Sequence, residues 1–164
     1  SYYFTILLSL YKNMKEELYW GKLTWCLFHT IAEKITDIKE LTNIINLIVL
    51  VCQNLPCPYC KQHAQTYLNR KSIHKLVKTK DDLKRYLFEF HNVVNMRTKK
   101  QIQPMQILDQ YSKINLATIL HQWLKFFRIF RLTPYVMREH SEREKAKQKV
   151  YAYLISIQDK LGGD

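Results

Sequence analysis

The sequence predicts an all-α domain, and three observations point there. Glycine occurs three times and proline four times in 164 residues, too few for the turns of a β-sandwich or a doubly wound sheet. Apolar residues recur at spacings of three and four, the period of one helix face. Hydrophobic residues make up 47% and charged residues 24%, so one domain of this length can bury a core without disulfide staples.

Taken in order, residues 2–10 are apolar but too short to span a bilayer, and no small-residue cleavage site follows. The chain opens on Ser1 rather than methionine, which leaves room for a processed start. No run of eighteen apolar residues follows, so no membrane-spanning helix is expected. A first helix is predicted over residues 15–35, with Leu23, Leu27, Ile31 and Ile35 on one face. Asp37 with Glu40 forms a capping-box pattern that opens a second helix, 38–53, apolar on nearly every side and therefore central. Pro56 ends it. Pro58 suits the first turn of a third helix, 58–68, and residues 69–78 read as a basic connection.

Thr79 with Asp82 caps a fourth helix, whose stripe is Leu83, Tyr86, Leu87, Phe90, Val93 and Val94. Pro104 opens a short fifth. Beyond it, Leu116, Ile119, Leu120, Trp123, Phe127 and Phe130 form another amphipathic stripe. Pro134 marks a linker, and Ser141 with Glu144 caps a last helix ending at Gly162. No repeat or low-complexity segment is present.

The net charge is +12, and basic proteins attract nucleic acid and anionic surfaces. Here the cations are spread out, with modest clusters at 78–84, 97–100 and 143–149, and no nucleic-acid motif accompanies them. A nucleic-acid role is disfavoured.

Three constellations carry chemistry. Cys57 and Cys60, in Cys57-Pro58-Tyr59-Cys60, stand at a predicted helix start, where the helix dipole stabilises a thiolate and favours disulfide exchange. The competing reading is half of a zinc site, irregularly completed by His63 or Cys52. No βαβ pattern surrounds the pair, so a thioredoxin fold is excluded. The second constellation is His91-Asn92-Val93-Val94-Asn95, followed by Arg97, Lys99 and Lys100. Two asparagines inside a helix need polar partners, which a bound heterocycle, buried side chains or water would supply; the cations suit phosphates. A solvated helix end is the plainer reading. In the third, Gly21, Trp25 and His29 are four apart and share a helix face. A helix-interior glycine costs about 1 kcal/mol against alanine, which suggests close approach by a ligand, although a core tryptophan beside an incidental glycine would look the same.

Together these segments resemble the Erv/ALR sulfhydryl oxidases. The resemblance runs through Trp20-Gly21, Trp25 and His29, then Cys57-Pro58-Tyr59-Cys60, then His91-Asn92-Val93-Val94-Asn95, in order and at about thirty-residue separations over residues 15–111. It implies a four-helix bundle plus a short fifth helix around FAD. Residues 112–164 lie largely beyond the motifs and are expected to form a helical extension for an interface or docking. It further implies that Cys57 takes the incoming thiolate, that Cys60 faces the flavin, and that reduced FAD passes two electrons to oxygen, giving hydrogen peroxide. The family's FAD contacts map to Gly21, Trp25, His29, His91, Asn92, Val94, Asn95, Lys99, Lys100 and Tyr111. A homodimer through the first two helices is also implied.

Two family features are absent. No cysteine follows Cys60, and no second shuttle Cys-x-x-Cys is visible, so the expected donor is a substrate protein dithiol or a thioredoxin-like carrier. Cys26 and Cys52, on consecutive helices, are either bonded to each other or free. The compact core is similar to versions encoded by large DNA viruses, which would place it in host cytoplasm or virion. A cellular version belongs in the mitochondrial intermembrane space or the ER. The extension carries an aromatic, basic helix, for which membrane-surface binding is disfavoured against core or protein contacts. A scaffold protein that kept the fold and lost the chemistry is the alternative function.

Overall fold

The computed structural model describes residue 15 and residues 18–163; the apolar stretch 2–10 and most of the predicted start of the first helix lie outside them. Among the described residues there are helices and a single isolated bridge between Ile35 and Leu161. The α-helices are α1 (Tyr19–Lys34), α2 (Leu41–Cys52), α3 (Pro58–Arg70), α4 (Ile73–Leu76), α5 (Lys80–Arg97), α6 (Leu116–Phe126) and α7 (Met137–Ser156). A 3₁₀ helix, Met105–Lys113, joins α5 to α6. Among the described residues, no helix is long and apolar enough to cross a membrane.

Local sequence explains most boundaries. Thr79 accepts from the Asp82 amide while Asp82 accepts from the Thr79 amide, a complete capping box that starts α5. Asp37 accepts from Lys39 N, but only a 3₁₀ turn, Ile38–Glu40, follows before α2. Glu40 does not reach back as a capping-box partner. It is buried and accepts from Tyr153 OH, from Lys160 Nζ at 2.8 Å and from Asn43 Nδ2 at 3.2 Å.

Four other features differ from the sequence pattern. The basic connection holds a short helix, α4, because Ile73 and Val77 bury their side chains. The segment after Pro104 is 3₁₀ rather than α. Val93 is exposed, one position off the buried face set by Leu83, Leu87 and Phe90. The last helix begins at Met137, leaving Ser141 inside it with no capping role, and ends at Ser156.

The core continues through the extension. α6 packs along α1, and α7 packs on α2. Trp123 and Phe127 are completely buried; Trp123 Nε1 donates to Thr24 Oγ1 at 3.0 Å, and the Thr24 hydroxyl in turn donates to Trp20 O. Trp20 meets Phe127 edge-on at 6.4 Å, and Tyr19 meets Phe126 at 5.1 Å. The C-terminal end is tied back to the α1–α2 connection: Thr36 N and Oγ1 both donate to Lys160 O, and Lys160 Nζ reaches Glu40. Residues 112–163 thus complete the same hydrophobic core as α1 to α5.

Candidate active site

Cys57 and Cys60 are joined as a disulfide, with their Cα atoms 5.2 Å apart. Cys57 is the N-cap of α3, Pro58 occupies the first turn, and Cys57 Sγ accepts from the Cys60 amide at 3.1 Å. Proline costs nothing here because the first-turn amide has no helical partner to lose. The sulfur most exposed to the helix N-terminus is therefore that of Cys57, and the dipole there favours its thiolate once the bond is opened. Cys60 is partly buried against the core. Among the described residues no group of three or more His, Cys, Asp or Glu is placed to hold a metal ion.

Cys26 and Cys52 are both free and buried. Burial pushes each thiol up to about 12, opposed at Cys26 by a hydrogen bond to Thr30. Neither is poised for exchange chemistry.

The other two constellations meet across the α1–α5 interface. Trp25 stacks on His91 with 4.3 Å between centroids and 5° between planes. His29 Nε2 lies 3.0 Å from His91 Nδ1, and the His29 ring stacks on Tyr111 at 4.7 Å. Burial, and second the neighbouring His91, push His29 down to about 3; burial, and second the Lys100 charge, push His91 down to about 4. Both imidazoles are neutral at pH 7. Burial first, then Cys26, pushes the Tyr111 phenol up to about 12, so it stays protonated.

Aromatic contacts extend from this cluster toward the disulfide helix. Phe90 meets Trp25 edge-on at 5.1 Å and stacks on Tyr67 of α3 at 4.2 Å. At the disulfide itself, Arg97 of α5 places its guanidinium 5.1 Å from the Tyr59 ring centroid. Arg97 thus contacts the Cys57–Cys60 turn, where the sequence suggested a phosphate.

The asparagines find partners within the chain. Asn92 Nδ2 donates to Gln103 O at 2.9 Å and its Oδ1 accepts from Gln103 N at 3.0 Å. Asn95 is buried and its Nδ2 lies 3.4 Å from Asn92 Oδ1. Val94 is half-buried against the core. Helix α5 ends with Lys100 N bonded to Asn95 O and Lys99 N to Met96 O, the pairing of a Schellman end. Lys99 takes the left-handed position there, at φ 56°, which usually falls to glycine.

Lys22, one turn before Trp25, escaped the sequence reading. Partial burial and then the Lys100 charge hold its ammonium below the usual lysine range, so two cations face the same region from α1 and the end of α5. Their spacing in sequence hides this; only the three-residue step from Lys22 to Trp25 hinted at it.

A family model described as the Erv1/Alr family matches residues 22–117. The chain belongs to the Erv1/Alr family. This Erv1/Alr chain is 33% identical over 88 residues to the FAD-linked sulfhydryl oxidase of African swine fever virus, covering 52% of this chain and 72% of that protein. A protein of Invertebrate iridescent virus 3 is 31% identical over 99 residues, 56% of this chain and 65% of that one. The FAD-linked sulfhydryl oxidase ERV1 of Oryza sativa subsp. japonica is 30% identical over 95 residues, 56% of this chain and 47% of its own. No solved structure matches the chain significantly.

The residues present fit a flavin dinucleotide. His29 Nδ1 is buried with no protein partner, leaving a hydrogen-bonding position for a ligand. A side chain at Gly21 would meet nothing within 4 Å, so there is open space on the Trp25 face of α1. Flat aromatic faces beside two cations match a heterocycle joined to a diphosphate.

Proposed function

We propose that this chain is an FAD-dependent thiol oxidase that makes disulfides in substrate proteins. The observation that carries the reading is the Cys57–Cys60 disulfide capping α3, in a chain whose α1–α5 interface holds Trp25, His29 and His91 together. When bound, FAD supplies a two-electron acceptor that passes electrons on to oxygen, giving hydrogen peroxide.

The chain's own residues do the rest. A substrate thiolate attacks Cys57 Sγ, forming a mixed disulfide, and the Cys57–Cys60 bond breaks with Cys60 leaving as thiolate. The second substrate thiolate attacks the substrate sulfur of that bond, and Cys57 leaves as thiolate, stabilised by the start of α3. The substrate has then lost two protons and two electrons, and both enzyme cysteines are reduced. Trp25, His29, His91 and Tyr111 would flank the cofactor's rings, with Gly21 leaving room beside them. Lys100, joined by Lys22, would face its phosphates, Asn92, Val94 and Asn95 would shape the α5 wall, and Lys99 would flank it from the helix end.

The donor is a protein dithiol or a small thioredoxin-like carrier that meets Cys57 directly. The viral relatives favour host cytoplasm or virion over the intermembrane space or ER. A homodimer through the first two helices would have to form around α6 and α7, which already pack along α1 and α2; any pairing of this chain uses what they leave open.

The test is Cys60→Ser. Turnover of dithiothreitol falls below detection while the protein stays yellow; undiminished turnover in that variant would refute the role of Cys60.

A further inference from the structure

Arg143 sits on α7, beyond the stretch matched by the family model. It is nonetheless 2% exposed, and its guanidinium reaches the segment that carries the disulfide. Nε donates to Asn54 O at 2.6 Å and Nη2 donates to Leu55 O at 3.1 Å. Those carbonyls lie just past α2, three and two residues before Cys57. Helix ends leave their last carbonyls unpaired, and a cation there also complements the helix dipole. Burying a guanidinium is costly unless its donors are used; here Nε and Nη2 each have a backbone acceptor, while Nη1 is buried without a protein partner.

The connection is otherwise held through α2 and the core: Gln53 N bonds to Val49 O, and the Leu55 side chain is buried in the core. Asn54 N bonds to Val51 O and Asn54 Nδ2 to Leu50 O, both back into α2, while Pro56 has no amide to donate. The negative end of α2 and the positive end of α3 thus adjoin within this short strap, with Arg143 between α7 and the carbonyls. Lys61 on α3, with Arg138, Glu139 and Glu142 on α7, line one groove with Asn54 and Arg143; the Glu139 and Glu144 carboxylates act on the guanidinium, and Arg97 lies beyond, at Tyr59.

We propose that Arg143 is a positioning residue for the redox disulfide, holding the 53–56 strap so that Cys57 Sγ stays at the N-terminus of α3. The extension is then a working part of the site. The inference rests on the thiol-oxidase reading and deepens it. A displaced strap takes Cys57 off the helix end, so Cys57 leaves less readily as thiolate when the mixed disulfide is resolved.

The test uses the full chain carrying FAD, as Arg143→Met, Arg143→Lys and Val150→Ala. Val150 is fully buried on the same helix and serves as the control for extension stability. The readouts are the thermal midpoint, kcat/KM for dithiothreitol, and the pH midpoint for iodoacetamide alkylation of Cys57 in a Cys60→Ser background. Arg143→Met is expected to lower kcat/KM about tenfold, one helix-end interaction's worth of leaving-group stabilisation, and to move the alkylation midpoint upward. Arg143→Lys should recover part of both, and Val150→Ala should lower only the thermal midpoint. If Arg143→Met behaves like Val150→Ala, or Arg143→Lys recovers nothing when Arg143→Met fails to fold, the proposal is overturned. A wild-type chain with no turnover would instead refute the oxidase reading, and the alkylation profile would still decide the role of Arg143.

Discussion

The ring of His91 lies flat on that of Trp25, and its Nδ1 faces His29 Nε2 at 3.0 Å. One proton between those nitrogens satisfies both. A second would place a charge in a buried aromatic stack; burial first, then His91 for His29 and Lys100 for His91, holds both imidazoles far below an ordinary histidine.

This pair makes the fold sensitive to mild acid. A histidine whose folded pKa is depressed takes up its proton first in the unfolded chain, so stability is full above about pH 6.5 and falls as pH drops toward the folded value. Each such group removes about 1.4 kcal/mol per pH unit in that window. Urea midpoints at pH 7, 6 and 5 should therefore decline steadily, and His91→Gln should flatten the decline. Glu40, held down to about 2 by hydrogen bonds from Lys160, then Tyr153 and Asn43, adds a second loss between about pH 4.5 and 2. A flat profile from pH 7 to 5 would contradict the neutral histidine pair.

Trp123 ties the extension to α1. Replacing it with alanine empties a fully buried site and should cost about 3–5 kcal/mol. Trp123→Phe keeps most of the volume but loses the bond to Thr24, and should cost about 1–2 kcal/mol. Denaturant unfolding measures both. Near-equal, small losses would mean that α6 contributes little to the core.

Cys26 and Cys52 should be silent to alkylation. Native, oxidised protein is expected to take up no iodoacetamide over hours at pH 8, and two equivalents once unfolded. Mass spectrometry of intact protein reads the count. Uptake of none after unfolding would mean that the two are bonded to each other.

Much of this was legible from one sequence. The complete Thr79–Asp82 capping box, Pro58 in the first turn of α3, and the stripes through Leu27, Ile31 and Trp123 depend on local spacing, and the structure has them where spacing puts them. Asp37 and Glu40 have the same local pattern, but Glu40 is drawn away by Tyr153 and Lys160, more than a hundred residues on. Asn92 and Asn95 signalled a need for polar partners, yet nothing local showed that Gln103's backbone would supply them. Lys22 and Arg143 were missed for the same reason: each matters through a residue distant in sequence, Lys100 for one and Asn54 for the other.

The central claim is that electrons pass from a dithiol through Cys57 and Cys60 to a bound flavin. The most direct measurement is the visible absorption spectrum of the purified protein, before and after anaerobic addition of dithiothreitol. The account predicts an oxidised-flavin band that bleaches, then returns with release of hydrogen peroxide when air is admitted. Colourless protein that cannot be reconstituted with FAD, or a flavin band the dithiol leaves untouched, would contradict it.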